Sequence, residues 1–314
     1  MIQSGSEPGR ALKAASNPSG RKSEKYFPYL LIAPTVILLG ILIFYPVASV
    51  FQLSLQNFSY ARLYEAGFAG LQNFQTIFGG DTLFYPALLL TAKWVFWEVF
   101  LQLVLGLAVA LLLNQVFRGR GLARVLVFAP WAVSGVLTTM LWLLILNQHI
   151  GLFNYVLKDT GVLKDTVAWL GNPNTVFPAI VITELWRGLP FFAITLLAAL
   201  QTIPREIYES CAVDGCSPLK KFFYITLPYL KGAIVFTTLM RSIWEFNSID
   251  MIFTLTGGGP MRLTTTLPIY LMQTAVVEGN LGYGSALAVV IFGILLLFAA
   301  LYLSLNKFGR GIDE

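Results

Sequence analysis

Charge is scarce in this chain. Only 12% of its 314 residues are Asp, Glu, Lys or Arg, against about 25% in an ordinary soluble domain, and apolar residues reach 56% against about 45–50%. Potential metal ligands are scarcer still: Cys211 and Cys216 are the only cysteines and His149 the only histidine. The cysteine spacing does not match a zinc pair, so no metal site is expected. His149 reads as an interfacial polar residue. Catalytic signatures are also missing. There is no G-x-x-x-x-G-K-[ST] phosphate loop, no H-E-x-x-H, no G-x-S-x-G, and no G-x-G-x-x-G after a strand. Gly257-Gly258-Gly259-Pro260 has no following lysine and reads as a turn. The chain is therefore expected neither to hydrolyse ATP by itself nor to be an enzyme.

What the chain has instead is long apolar runs. No charged residue falls between Lys25 and Arg62, between Glu98 and Arg118, between Arg124 and Lys158, or between Glu278 and Lys307. About 20 residues suffice to cross the hydrocarbon core as a helix. Two further runs are interrupted, one by Glu184 and Arg187, the other by Lys231, Arg241, Glu245 and Asp250. The fold expected is all-α and polytopic, with six transmembrane helices at about 29–51, 86–114, 125–147, 175–201, 229–256 and 283–305. The first apolar run exceeds the 7–15 residues of a signal peptide and has no small-x-small exit, so it is expected to stay in the mature protein. Residues 1–28, rich in Ser, Gly, Pro, Lys and Arg, read as a disordered cytoplasmic tail. The membrane domain should then occupy 29–308.

Orientation follows from the basic residues, because cytoplasmic loops carry the Lys/Arg excess. With the N-terminus inside, the inner segments hold Arg10, Lys13, Arg21, Lys22, Lys25, Arg118, Arg120, Arg124, Arg205, Lys220, Lys221, Lys231, Lys307 and Arg310. The outer ones hold Arg62, Lys158, Lys164 and Arg262. Fourteen against four places both termini in the cytoplasm. This bias explains the net charge of +5, so lipid rather than nucleic acid is the expected contact. Both cysteines then face a reducing compartment, where thiols stay reduced.

The same orientation puts residues 203–228, IPREIYESCAVDGCSPLKKFFYITLP, on the cytoplasmic face. Over Glu206–Asp214 a short helix would gather Ile207 with Cys211 and Tyr208 with Ala212 on one face. Glu206, Glu209 and Asp214 would remain polar. Gly215 supplies the freedom to turn, and Ser217-Pro218 suits a second helix start. Pro228 marks entry to the fifth span. The product is a helix-turn-helix presented to the cytoplasm.

The pattern of Ile-Pro, Tyr-Glu, Asp214-Gly215 and the spaced Ile-Thr-Leu-Pro resembles the cytoplasmic loop by which ABC importer permeases engage their ATPase. Ser210, Cys211 and Cys216 depart from the family's alanines but stay small. The resemblance extends over about residues 28–308, through Leu185-Trp186-Arg187-Gly188-Leu189-Pro190, Gly151-Leu152-Phe153-Asn154 and Leu255 to Pro260. These look like the carbohydrate-uptake branch, and like the first permease of maltose- and glycerol-phosphate-type systems. The resemblance implies a permease subunit translocating a sugar or sugar derivative across a bacterial inner membrane. It further implies a second, related permease, an ATPase dimer holding the ATP and magnesium, and an extracytoplasmic sugar-binding protein. No cofactor is expected in this chain. Coupling would run through Glu206, Glu209, Asp214 and Gly215.

Charges inside a span are costly and usually face a cavity or one another. At 1.5 Å per residue Glu184, Arg187, Arg241 and Glu245 lie about 20–29 Å from the cytoplasmic edge, at one depth. Carrying the family's sugar-contacting positions across points to Glu184, Arg187, Gly188 and Phe191, and to Arg241, Trp244, Glu245 and Ser248. Where those relatives have neutral contacts this chain has charges. Two readings stay open: the charges pair across helices, Arg187 with Glu245 and Arg241 with Glu184, or an arginine is free for an anionic sugar derivative. The alternative function is an ion-coupled carrier or channel that needs no ATPase.

Overall fold

The computed structural model describes residues 18–306, with side chains from Tyr26 onward. It divides into two units, one ending at Gln52 and the other beginning at Leu53. In the first unit, helix α1 (Pro18–Leu39) continues through a π-helical turn at Gly40–Phe44 into α2 (Tyr45–Ser54), whose last two residues belong to the second. Its apolar stretch Tyr26–Ser54 is 29 residues, long enough to cross a bilayer. The helix begins earlier than the sequence suggests, so residues 18–28 are helical rather than a disordered tail. Pro18 costs nothing at a first helical position, where its missing N–H would have no partner anyway. The rest of the expected tail, residues 1–17, lies outside the described residues, as do Lys307 and Arg310.

The second unit opens on a short antiparallel pair, β1 (Gln56–Asn57) with β2 (Gly67–Phe68), followed by α3 (Gln72–Gly79). Helix α4 (Phe84–Asn114) spans 31 residues. Asp81 caps its start, accepting from the backbone N–H of Leu83 at 2.7 Å and of Phe84 at 3.2 Å. A partner span, α8 (Val176–Gln201), lies tightly against it. A side chain on Gly106 would bring its Cβ within 2.5 Å of the Phe192 Cβ, so glycine permits this close approach. Residues Ala110, Leu113, Phe192, Leu196 and Leu230 fill the interior near one end of the bundle. Ile77, Phe84, Leu267 and Leu287 fill it near the other.

The third expected span is not one helix. It divides into α5 (Arg120–Ala132) and α6 (Gly135–Ile145), bent by 98°. Pro130 withholds a backbone N–H from the ladder, and Val133 then leaves helical geometry at φ −84°, ψ 139°. After α6 the short α7 (Leu152–Asp159) precedes α8. Asn154 organises the loop beyond it, donating to the Val167 carbonyl and accepting from Val167 N–H and Trp169 Nε1.

The fifth span is also displaced. Helix α9 (Arg205–Val213) and α10 (Pro218–Lys221) lead into a π-helical turn at Phe222–Thr226 and then α11 (Leu227–Phe246). The stretch Pro218–Phe246 is therefore one apolar helix of 29 residues. Pro228 sits inside it rather than at an entry, because the π turn replaces the usual bond with one from Leu227 N–H to the Phe222 carbonyl. At its far end the helix stops at Phe246, ten residues short of the expected limit. Asn247 folds its amide back onto the Ile243 carbonyl, and the chain restarts as α12 (Asp250–Thr256). Gly257 and Gly258 follow at φ +60° and +93°, the turn expected of the Gly-Gly-Gly-Pro run. Helix α13 (Leu267–Met272) is too short to cross, and α14 (Leu281–Leu305) is the last span. The described residues thus hold five long apolar helices, or six counting the bent pair as one.

Candidate functional site

Helices α4, α8 and α11 converge on a buried ion-pair chain. Glu184 on α8 is fully buried and accepts from Arg187 Nε and Nη2, both at 2.9 Å. It also accepts from Arg241 Nη2 on α11 at 2.7 Å. The same Nη2 lies 2.5 Å from Glu245, while Arg241 Nε donates to Gln102 Oε1 on α4 at 2.8 Å. Gln102 passes the chain on, its Nε2 donating to Glu98 at 2.9 Å. Of the two cross-helix pairs considered from sequence, Arg241 with Glu184 is present. Arg187 binds Glu184 on its own helix rather than Glu245.

Gly188 has a steric role here. A Cβ at that position would run into the Arg241 guanidinium and the Gln102 carboxamide. Only glycine leaves the passage through which Arg241 reaches across to α4.

Beside this chain lies a cavity of about 220 Å³. Of the residues expected to contact a sugar, Arg187, Arg241, Trp244, Glu245 and Ser248 line it. Glu184, Gly188 and Phe191 do not: the first two are buried behind the arginines, and Phe191 packs its ring 5.0 Å from that of Trp244. The two arginines differ in access. Arg241 is 8% exposed, whereas Arg187 is 32% exposed. Because Arg187 gives its Nε and Nη2 edge to Glu184, Nη1 remains for other contacts. The helix break passes beside it, so that a Cβ added to Gly135 would stand 3.3 Å from Nη1.

Sequence reasoning missed several of these residues. Glu98 and Gln102 are fully buried on α4, four apart on one face. A lone acid inside an apolar run, followed at helical spacing by an amide, was the signal available. Thr139 and Asp250 also line the cavity. Thr139 gets there through the break in the third span and Asp250 through the early end of the fifth, and neither was legible.

The residues expected to couple to an ATPase sit at the opposite end of α11. Glu206 and Glu209 lie exposed on α9, and Asp214 exposed just after it. Gly215 turns the chain at φ +72°. Ile207, Tyr208 and Cys211 pack inward against the Phe192 and Leu196 interior, and the Tyr208 hydroxyl bonds that of Thr226 at 3.0 Å. One expectation fails here: Cys211 and Cys216 are joined as a disulfide rather than held as thiols. The helix-ending turn at Gly215 brings them together. Among the described residues no group of three His, Cys, Asp or Glu side chains is arranged to hold a metal.

Residues 102–310 match the family described as "Binding-protein-dependent transport system inner membrane component". The chain belongs to this permease family. It is a multi-pass inner-membrane protein, with five to six spans in the described residues. It is 36% identical over 282 residues to the trehalose/maltose transport system permease protein MalF of Thermococcus litoralis, covering 90% of this chain and 94% of that one. It is also 36% identical over 284 residues to the sulfoquinovosyl glycerol transport system permease protein SmoG of Agrobacterium fabrum, covering 90% and 91%. In fold, the permease is similar to a chain of a bacterial ABC transporter that imports the acidic polysaccharide alginate. The TM-score is 0.81 at 20% identity, covering 93% of this chain and 99% of that one.

Proposed function

We propose that this permease is one of two related membrane subunits of an ATP-driven importer, and that its cargo is a sugar or sugar derivative. The observation that carries the reading is the cavity among the spans. An aromatic ring, Trp244, and a half-exposed guanidinium, Arg187, face the same space. Aromatic faces suit the apolar C–H patches of a sugar ring, and guanidinium forks suit its oxygens. The cavity is smaller than the about 300–1,000 Å³ of an ordinary ligand site, which fits a chamber whose other wall comes from the second permease. ATP and magnesium would sit on a partner ATPase dimer docked at Glu206, Glu209, Asp214 and Gly215. Cargo would arrive on an extracytoplasmic binding protein.

An anionic cargo remains the sharper version. The relatives' names divide between trehalose/maltose and sulfoquinovosyl glycerol, so family alone does not choose. Arg241 is committed to Glu184, Glu245 and Gln102, which leaves Arg187 as the one arginine on which the anionic reading rests. The test is ATP hydrolysis by the assembled complex, with binding protein, against neutral sugars and sugar acids. Stimulation by a sugar acid supports the anionic reading; stimulation by neutral oligosaccharides alone removes it.

Both termini are proposed to be cytoplasmic, on the basic-residue bias. In a background lacking Cys211 and Cys216, a cysteine at Asn172 should label from outside and one at Ser217 only after permeabilisation. The reverse pattern would remove the docking argument.

A further inference from the structure

The coupling segment holds the chain's only two cysteines, and the backbone delivers them to one another. Cys216 N–H donates to the Cys211 carbonyl at 2.9 Å, Asp214 N–H to Ser210 at 3.0 Å, and Gly215 N–H to Ala212 at 3.1 Å. With Gly215 at φ +72° these bonds end α9 and fold the next residue back over it. The two Cα atoms are thereby 5.3 Å apart, within the range of about 4.4–6.8 Å that a disulfide spans. Because helix-end hydrogen bonds hold the pair together, breaking the sulfur bond would leave two thiols still poised to rejoin.

What the bond connects matters more than its presence. Cys211 is anchored, packing with Ile207 and Tyr208 against the bundle interior. Cys216 immediately precedes Ser217 and the 29-residue helix Pro218–Phe246, whose far end carries Arg241 and Glu245. The bond therefore fixes α9 to the foot of the helix that reaches the cavity. Without it the joint is Gly215, where nothing beyond its chain neighbours crowds the place of a Cβ. A disulfide facing a reducing compartment is not expected to be permanent; such bonds are usually transient or redox-sensing.

We propose that Cys211 and Cys216 form a thiol–disulfide exchange site that sets how rigidly α9 is joined to the cavity helix, with the bonded form coupling the ATPase more tightly. This rests on the reading of the segment as the cytoplasmic docking element. The co-reactant is a low-molecular-weight disulfide. One cysteine thiolate attacks it, forming a mixed disulfide and releasing one small thiol; the second cysteine then attacks the protein-bound sulfur and releases the other. Two electrons pass from the pair to the small disulfide. The two protons end on the two small thiols, and a dithiol reverses the reaction.

The test uses the assembled permease–ATPase complex in lipid, equilibrated with glutathione disulfide or with dithiothreitol. Alkylation followed by mass measurement counts free thiols on this chain. Two thiols should appear after reduction and none after oxidation. Cargo-stimulated ATP hydrolysis should be about two- to tenfold higher in the oxidised complex, the effect expected for pre-ordering one flexible joint. Cys211→Ser and Cys216→Ser should each hydrolyse ATP at the rate of the reduced wild type with either reagent, the remaining cysteine going no further than a mixed disulfide with glutathione. The proposal is overturned if the pair cannot be opened and closed, if both forms hydrolyse at one rate, or if the serine variants still respond. Failure of the docking reading looks different: Gly215→Val would then transport normally, while the thiol count would still report whether the exchange site exists.

Discussion

Inside the bundle Glu184, Arg187, Arg241 and Glu245 are locked into one ion-pair chain, whereas on the coupling segment Glu206, Glu209, Asp214 and Lys220 stand exposed. Among the described residues these four make no ion pair. The difference is one of solvent. A charge removed from water must find its partner within the chain, so the buried set fixes helix geometry. A charge left in water need not, and is available to a second protein, where truncating one side of a charged hydrogen bond has a measurable effect. Charges in the first region should show themselves in stability, and those in the second in coupling.

The largest expected effect comes from opening the buried chain. Glu184→Gln leaves Arg187 without its carboxylate and Arg241 with only Glu245, and removing one partner of a buried pair costs about 3–5 kcal/mol. The purified permease should unfold at clearly lower temperature, followed by tryptophan fluorescence. Changing Arg187 to Gln as well should recover part of the loss. Wild-type unfolding in Glu184→Gln alone would mean the ion pairs are not structural, and the contrast between the two regions would collapse.

The coupling segment should behave the other way. On the proposed docking, Glu209→Ala would remove a charge-assisted contact of about 1.5–3 kcal/mol with the ATPase. Gly215→Val forces a β-branched residue into left-handed backbone at a strain of about 1–2 kcal/mol. Transport should fall in both while insertion stays normal. Undiminished transport in the double variant would sink docking through this segment.

Between these extremes stands Arg187, which is half in each region: paired with Glu184 yet facing the cavity. Arg187→Gln should cut cargo-stimulated hydrolysis by about tenfold, equivalent to about 1.4 kcal/mol, with basal hydrolysis retained. Equal stimulation of wild type and variant by neutral sugars, with none by sugar acids, would leave Arg187 purely structural.

How much of this was legible in the sequence depends on periodicity. The long apolar runs were readable because length and scarcity of charge define them, and α4, α8 and α14 begin and end within two residues of expectation. The third span misled because composition does not register a 98° break; Pro130 marked the place but not its size. Pro228 misled because a π turn let the helix run through it. The buried charges on α8 and α11 were visible as interruptions. Glu98 was visible too, but its partner Gln102 is uncharged, and an amide in an apolar run attracts no notice until its neighbours are known.

A third way of holding charge sharpens the contrast with the smallest effect. Asp81, half-buried before α4, has no counter-ion among the described residues and is held by neutral donors. Burial alone would raise its carboxyl, but hydroxyl donors from Tyr283 at 2.5 Å and Tyr270 at 2.7 Å, with the Leu83 and Phe84 amides, hold it below its usual 3.8. Burial first, and then the bond to Asp81, push the Tyr270 hydroxyl up to about 12, so it remains a donor at neutral pH. A depressed carboxyl contributes stability that is fully present above the unfolded value and lost as pH falls through the folded one. Asp81's share of the stability should therefore hold steady down to about pH 4 and weaken only below it. Tyr270→Phe should cost about 1 kcal/mol at neutral pH and move the acid loss to higher pH, because a lowering bond is gone while burial still raises the carboxyl. Asp81→Asn should remove this residue's share of the pH dependence. If Tyr270→Phe instead shifts the loss to lower pH, or Asp81→Asn leaves the wild-type profile intact, neutral donors are not what keeps this charge in place.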